Sequence, residues 1–316
     1  MAHPRKFCKL VDSGGIKKAV MESLNRGERQ VLRSIQAHVG ASMLEAGVVL
    51  EQVGTLDVYF HPTNPDPYLN CATPHRGVAW VRRDDLNGAF TGLQHLGRIP
   101  RLVFQEALFP QAFQQQLKGM GLTLEDERQV MAYRPLYGPN PPDEEPLGCL
   151  PDALPDDITT QVATTKSALA TWLRVFRSGY YNAETLTVDS ADVEPLVAAA
   201  KGGDRLFVTA CYRDIPLGAA RVGLRGPTAD LEAVVTAPLW FGMGLETALV
   251  MTATREAMQR GCAVIFTVAQ TEDFTRLYRR LGFVEVTRVL TFWLADRNNH
   301  AYPQNAPHIV SIQGEP

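Results

Sequence analysis

The sequence predicts an α/β protein, a mixed sheet flanked by helices and built in two related halves. Three observations carry this. A Pro-rich break runs from 135 to 157, with Pro135, Pro139, Pro141, Pro142, Pro146, Pro151 and Pro155. Proline fixes φ and lacks the amide hydrogen, so neither a helix nor a central strand continues through it. Beyond the break, a strand, a Gly-rich turn, a helix and an apolar strand succeed one another as in a βαβ unit, whose two strands run parallel. The two halves also end on segments that align without a gap. Phe113-Gln-Gln-Gln-Leu-Lys-Gly-Met-Gly-Leu122 falls on Phe274-Thr-Arg-Leu-Tyr-Arg-Arg-Leu-Gly-Phe283, setting Phe113 on Phe274 and Gly121 on Gly282.

The break divides the chain into an N-terminal half (1–134), an extended linker (135–157), a second domain (158–296) and a tail (297–316). In the first half, a strand at Leu102-Val-Phe-Gln-Glu-Ala leads into the helix around Phe113. The stretch from Arg76 to Arg98 offers no G-x-G, so this half reads as a degenerate, structural copy. In the second half, Ile158–Thr164 reads as a strand. Lys166–Tyr180 is a helix, with Leu169, Trp172, Leu173 and Phe176 at helical spacing. Val193–Ala200 is a short helix. Arg205–Tyr212 and Ala219–Leu224 are strands around a turn at Arg213–Leu217, and Leu231–Thr236 is a third. Gly244–Arg260 is a helix, with Leu245, Ala248, Leu249, Ala253 and Ala257 on one stripe and Gly261 as its stop. Ala263–Ala269 is the apolar run of a strand buried on both faces. Glu272–Leu281 is a helix stopped by Gly282, and Phe283–Leu294 is a long strand or hairpin.

Composition narrows the class. Of 316 residues, 45% are hydrophobic and 21% charged, which is globular rather than disordered. A formal charge of -3, without runs of like charge, gives no footprint for a nucleic-acid or membrane partner, and neither is expected. The five cysteines are odd in number, far apart and without a CxxC pair, so no zinc site, other metal or disulfide framework is expected. The N-terminal Met-Ala-His-Pro-Arg-Lys leads into no apolar core, and no run approaches 18 apolar residues. A cytoplasmic protein is the expectation.

The chemistry points to Val234-Val-Thr-Ala-Pro-Leu-Trp-Phe-Gly-Met-Gly-Leu-Glu-Thr247. A strand enters Gly242 and Gly244 and leaves as a helix. The first helical turn leaves amide hydrogens unpaired at the positive end of the dipole, and glycines admit a ligand close to the backbone. The pattern suits a pyrophosphate; a plain strand-to-helix turn has the same pattern. The residues C-terminal to the turn decide between them: an apolar strand, then Leu277-Tyr278-Arg-Arg-Leu281-Gly282-Phe283. Ile158–Leu294, and most sharply Val234–Phe283, resembles the GNAT superfamily of acyl-CoA N-acyltransferases, and the N-terminal half resembles a divergent copy of it. Tandem GNAT-like domains are the implied fold.

The resemblance implies acetyl-CoA, or another coenzyme A thioester, as co-substrate. Its pyrophosphate would lie over Phe241, Gly242, Met243, Gly244, Leu245 and Glu246, and its pantetheine arm along Val234, Val235 and Thr236. Where the family usually has Gln or Arg this chain has Leu239, followed by Trp240 and Phe241. Thr271 stands where Asn is common, and Phe274 where a small residue is. Tyr278 matches the tyrosine that commonly protonates the departing thiolate; otherwise it is the polar tip of an amphipathic helix. Glu232 is the candidate base, directly or through water, or else a solvated carboxylate, with Asp230 competing. Strand alternation puts Glu232, Val234 and Thr236 on one face and Leu231, Ala233 and Val235 on the other. Arg276, Arg279 and Arg280 would reach phosphates or form a solvated face. Trp172, Phe176, Tyr180 and Tyr181 lie where the family builds its acceptor pocket. The implied activity is acyl transfer to a primary amine by direct attack in a ternary complex. The alternative is a non-catalytic acyl-CoA-binding or interaction protein on a decayed scaffold. The expected partner is a small amine-bearing acceptor, with the chain itself a monomer or homodimer.

Overall fold

The structure, a computed structural model, describes residues 24–133, 150–154, 156–182 and 187–294. Most of the Pro-rich linker and the expected tail lie outside the described residues. The first half runs α1 (Arg26–Glu45), β1 (Val49–Val53), β2 (Leu56–Phe60), β3 (Cys71–Pro74), α2 (Arg83–His95), β4 (Arg101–Gln105), α3 (Ala112–Gly119) and β5 (Leu122–Tyr133). The second runs β6 (Ile158–Val162), α4 (Lys166–Tyr181), α5 (Ser190–Gly202), β7 (Arg205–Tyr212), β8 (Ile215–Arg225), β9 (Thr228–Thr236), α6 (Leu245–Gln259), β10 (Val264–Ala269), α7 (Glu272–Arg280) and β11 (Phe283–Leu294).

Local chemistry explains where these boundaries depart from the pattern of the sequence. Arg213 and Asp214 both hold left-handed φ, 46° and 68°. They form the two-residue turn whose twist suits a hairpin, so β8 starts at Ile215 rather than Ala219. A capping box between Asp189 and Asp192 opens α5 three residues before Val193. Phe283–Leu294 is one continuous strand, not a hairpin.

All eleven strands join one sheet, in the order β1-β2-β3-β4-β11-β5-β10-β9-β8-β7-β6. The two halves exchange their last strands. β5 lies antiparallel to β10 of the second half, and β11 antiparallel to β4 of the first. The exchanged strands also pair with each other, Phe283 opposite Tyr133 and Leu294 opposite Leu122. These pairs map onto one another under the offset that sets Phe113 on Phe274. The repeat in the sequence is therefore a pseudo-twofold axis between β5 and β11, and the fold is a tandem of two related units sharing a sheet.

Helices cover both faces. On one, Val31 and Ile35 of α1 pack on Val130, Ala132, Val264 and Phe266, while Leu169, Trp172 and Phe176 of α4 pack on Phe207 and Ala219. On the other, α2 and α3 cover Leu102, Phe104, Leu290 and Phe292, and α6 and α7 cover Val222, Leu231, Ile265 and Phe283. The first half's long helix thus seats on the second half's strands. Among the described residues, no helix is long and apolar enough to cross a membrane.

Candidate functional site

The site opens where two parallel strands part. β9 and β10 pair at Thr228–Val264, Ala229–Ile265 and Asp230–Phe266, and no further. Beyond that point β9 continues to Thr236 with its outer edge on β8, leaving the edge that faces β10 unmatched. Unmatched strand edges offer amide and carbonyl groups to an extended ligand. An open cleft fills the gap, lined among others by Val234, Val235, Thr267, Phe274 and Tyr278.

Thr267 closes the apex. Its Oγ1 donates to the Leu231 carbonyl at 3.0 Å, replacing the first missing ladder bond with a side-chain bond. Thr267 also lies beside the Tyr278 phenol, whose pKa it acts to lower. Burial pushes the Tyr278 pKa up to about 12, so its proton is held at neutral pH. Its ring belongs to an aromatic run, Phe241–Phe274–Tyr278–Phe283–Tyr133, with centroids 5.3–6.2 Å apart. Phe241 comes from the loop after β9, and Tyr133 from the exchanged strand of the other half.

The loop joining β9 to α6 carries the glycines. Gly242 and Gly244 hold φ of 81° and 92°, which an L side chain adopts at a cost. Gly244 is the N-cap of α6 and supplies no side-chain cap, so the first-turn amides of that helix are left for a ligand. Leu245 and Glu246 turn their side chains inward, and Thr236 Oγ1 donates to Glu246 Oε1 at 2.9 Å, tying the two ends of the loop together. Trp240 packs on Tyr212, while Leu239 is 98% exposed, with Phe241 and Met243 also outward. The apolar substitution at Leu239 thus faces solvent, not the helix N-terminus. Thr271 caps α7 by accepting from the Phe274 amide. Arg276 pairs with Asp273 and Arg279 with Glu285, on an exposed face.

Glu232 is a β-bulge. Arg221 faces Ala233 and Val222 faces Leu231, which leaves Glu232 as the extra residue of β9. The bulge overturns the expected alternation: Leu231 and Val234 share the face of α6, and Ala233 and Val235 turn to α4. Glu232 lies at the cleft wall between two guanidinium groups, Arg205 Nη1 at 3.0 Å and Arg221 Nε at 2.6 Å. Gly223 makes this possible, because a Cβ there would fall 2.5 Å from Glu232 Oε1. Asp230, two residues back, is pushed well above the carboxylate range by burial and by the Glu232 charge. Of the aromatics of α4, Phe176 and Tyr180 line the cleft, whereas Trp172 is buried with its indole donating to the Ala220 carbonyl. Sequence reading missed Thr267, Arg221 and Arg205. Each left a signal, a polar residue inside or at the start of an otherwise apolar strand.

Comparison with known proteins agrees with this geometry. The model of the Acetyltransferase (GNAT) family matches residues 167–283. Among solved structures, a GCN5-related N-acetyltransferase from Kribbella flavida superposes with a TM-score of 0.59 at 16% identity, covering 86% of this chain and 96% of that one. One from Sphaerobacter thermophilus gives 0.53 at 14% identity, covering 77% and 81%. A tandem GNAT protein from the clavulanic acid biosynthesis pathway gives 0.51 at 15%, covering 78% and 82%. The comparison with curated proteins gives no match. Residues 167–283, with the parted strands, the glycine turn and Tyr278, are therefore a domain of the GNAT acetyltransferase family, within a tandem GNAT-like chain.

Proposed function

We propose that this protein transfers an acetyl group from acetyl-CoA to a primary amine by direct attack. The observation that carries this reading is the parting of β9 and β10 beyond Asp230 and Phe266, with the uncapped N-terminus of α6 at the end of the opening. The pyrophosphate would take the amides around Gly242–Glu246, and the pantetheine arm would take the free edge of Val234–Thr236. The elements a decayed site would lose first, the left-handed glycines and the buried tyrosine, are in place.

The acceptor nitrogen attacks the thioester carbonyl carbon, and the carbon–sulfur bond breaks. The thiolate takes the Tyr278 proton, and the phenol is reprotonated from solvent. Glu232, held at the cleft wall by Arg205 and Arg221, takes the amine proton through water. Phe274 narrows the thiol end and favours a short acyl group.

Thermal shift and calorimetry with acetyl-CoA test the binding step, and free-thiol release with an amine panel tests turnover. The reading expects a saturable shift, reduced several-fold in affinity by Gly242→Val. No shift at millimolar acetyl-CoA would remove it.

A further inference from the structure

Arg221 is a buried guanidinium in the cleft wall whose Nε lacks an aligned hydrogen bond. Its side chain is 8% exposed, yet it lines the cleft. Its Nε meets Glu232 Oε2 at 2.6 Å as a contact of opposite charges, but neither atom is in an aligned hydrogen bond. The ring of Phe176 lies 5.9 Å from its centre, and both residues line the cleft. Buried charged donors without acceptors are costly, and native structures rarely keep them without a reason.

The neighbouring orphan is complementary. Glu232 Oε2 is a buried acceptor without an aligned hydrogen bond, 2.6 Å from Arg221 Nε. One ligand satisfies both if it carries an amine and an anion close together. The surrounding wall is apolar and aromatic, from Phe176, Ala233 and Val235. The balance of charge agrees, because two guanidinium groups, Arg205 and Arg221, contact the single Glu232 carboxylate.

We infer that the acceptor is a free amino acid with an apolar side chain, its carboxylate held by the Nη groups of Arg221 and its amine presented to Glu232. This rests on the acetyl-transfer reading and specifies its second substrate. Arg221 would act by binding substrate, since its planar fork matches a carboxylate in two-point contact. The apolar wall takes the side chain of the amino acid. The amine then stands at the parting of the strands, beside the free edge of β9.

The test compares matched acceptors by free-thiol release: phenylalanine and leucine, their carboxamides, the decarboxylated amines, and phosphoethanolamine. The expected result is kcat/KM about tenfold to a hundredfold higher for the free acids than for the amides and amines, the range of one charge-assisted contact. Arg221→Gln should raise KM for the acids by about the same factor, a selective loss on top of any fall in kcat that all acceptors share through Glu232. Arg221→Lys, which keeps charge but not the fork, should fall between. Equal rates for acids and amides, a preference for phosphoethanolamine, or an equal loss for all acceptors in Arg221→Gln would each overturn the inference. Acetyl-CoA affinity is measured alongside by calorimetry. Failure to bind it removes the acetyl-transfer reading itself. If it binds but no amino acid is acetylated or gives heat of binding in the presence of coenzyme A, only the inference about Arg221 falls.

Discussion

Thr267 Oγ1 and the Leu231 carbonyl, 3.0 Å apart, bridge the two strands one residue past their last backbone pair. One hydroxyl thus fixes where the cleft begins, beside the Tyr278 phenol. Thr267→Val keeps the shape and removes that bond and the hydroxyl beside Tyr278. Stability should fall by about 1–2 kcal/mol in denaturant unfolding, and kcat by about tenfold with little change in KM for acetyl-CoA. An unchanged kcat would show that Thr267 only ties the strands.

Tyr278→Phe should lower kcat by about a hundredfold or more while acetyl-CoA affinity stays close to wild type. It should also alter alkaline stability. The folded pKa, about 12, lies above the ordinary value of 10.0, so the buried neutral phenol stabilises the fold below pH 10 and the gain is lost as pH rises towards 12. Two units correspond to on the order of 3 kcal/mol. Denaturant titrations at pH 9 and 11 should show a steeper loss for wild type than for Tyr278→Phe.

His38 sets the acid side. It sits on α1 with 1% exposure, its ring edge-on to Phe266. Thr228 Oγ1 donates to the Arg225 carbonyl, so His38 donates from Nδ1 to Thr228 at 2.6 Å and its Nε2 is left without a bond. Burial lowers its pKa from 6.5 to about 4; Glu232 and Glu45 oppose this, and Arg225 and Arg205 add to it. A depressed pKa gives stability that is present above pH 6.5 and lost as pH falls towards 4, on the order of 3 kcal/mol. His38→Phe should flatten the stability profile between pH 6.5 and 4. A profile unchanged by the substitution would place the acid sensitivity elsewhere.

The strand exchange predicts that neither half stands alone. A chain of residues 150–294 lacks β4 and β5, which leaves β10 without one neighbour and β11 without both. It should be insoluble or unfolded by circular dichroism, and co-expression with residues 24–133 should restore a soluble complex. A folded, monomeric 150–294 fragment would show that the exchange is dispensable.

Local chemistry was legible and long-range pairing was not. The glycines at 242 and 244, the stop at Gly282 and the helix carrying Tyr278 arise from residue-level preferences, and all lie where the sequence puts them. The repeat was visible as Phe113 on Phe274. Its meaning was hidden, because nothing in Leu122–Tyr133 says that its neighbours are β10 and β11 rather than β4. A β-bulge adds one residue to one strand and leaves no compositional mark, so the faces of Glu232 and Val234 could not be assigned from alternation. Arg221 carried a signal, a lone charge in an apolar strand, but its importance depends on Glu232 being bulged towards it.

The interleaving of β4, β11, β5 and β10 also sets the order of events at the ribosome. When β5 emerges, neither of its final neighbours has been synthesised. At ordinary elongation speeds roughly ten to thirty seconds pass before β11 arrives. During that interval the nascent first half holds three uncovered edges, one on β4 and both on β5, and the apolar side of α1 waits for Val264 and Phe266. This chain cannot finish one domain before beginning the next. Its yield in a cell therefore depends on how long that half-made sheet is kept from other chains.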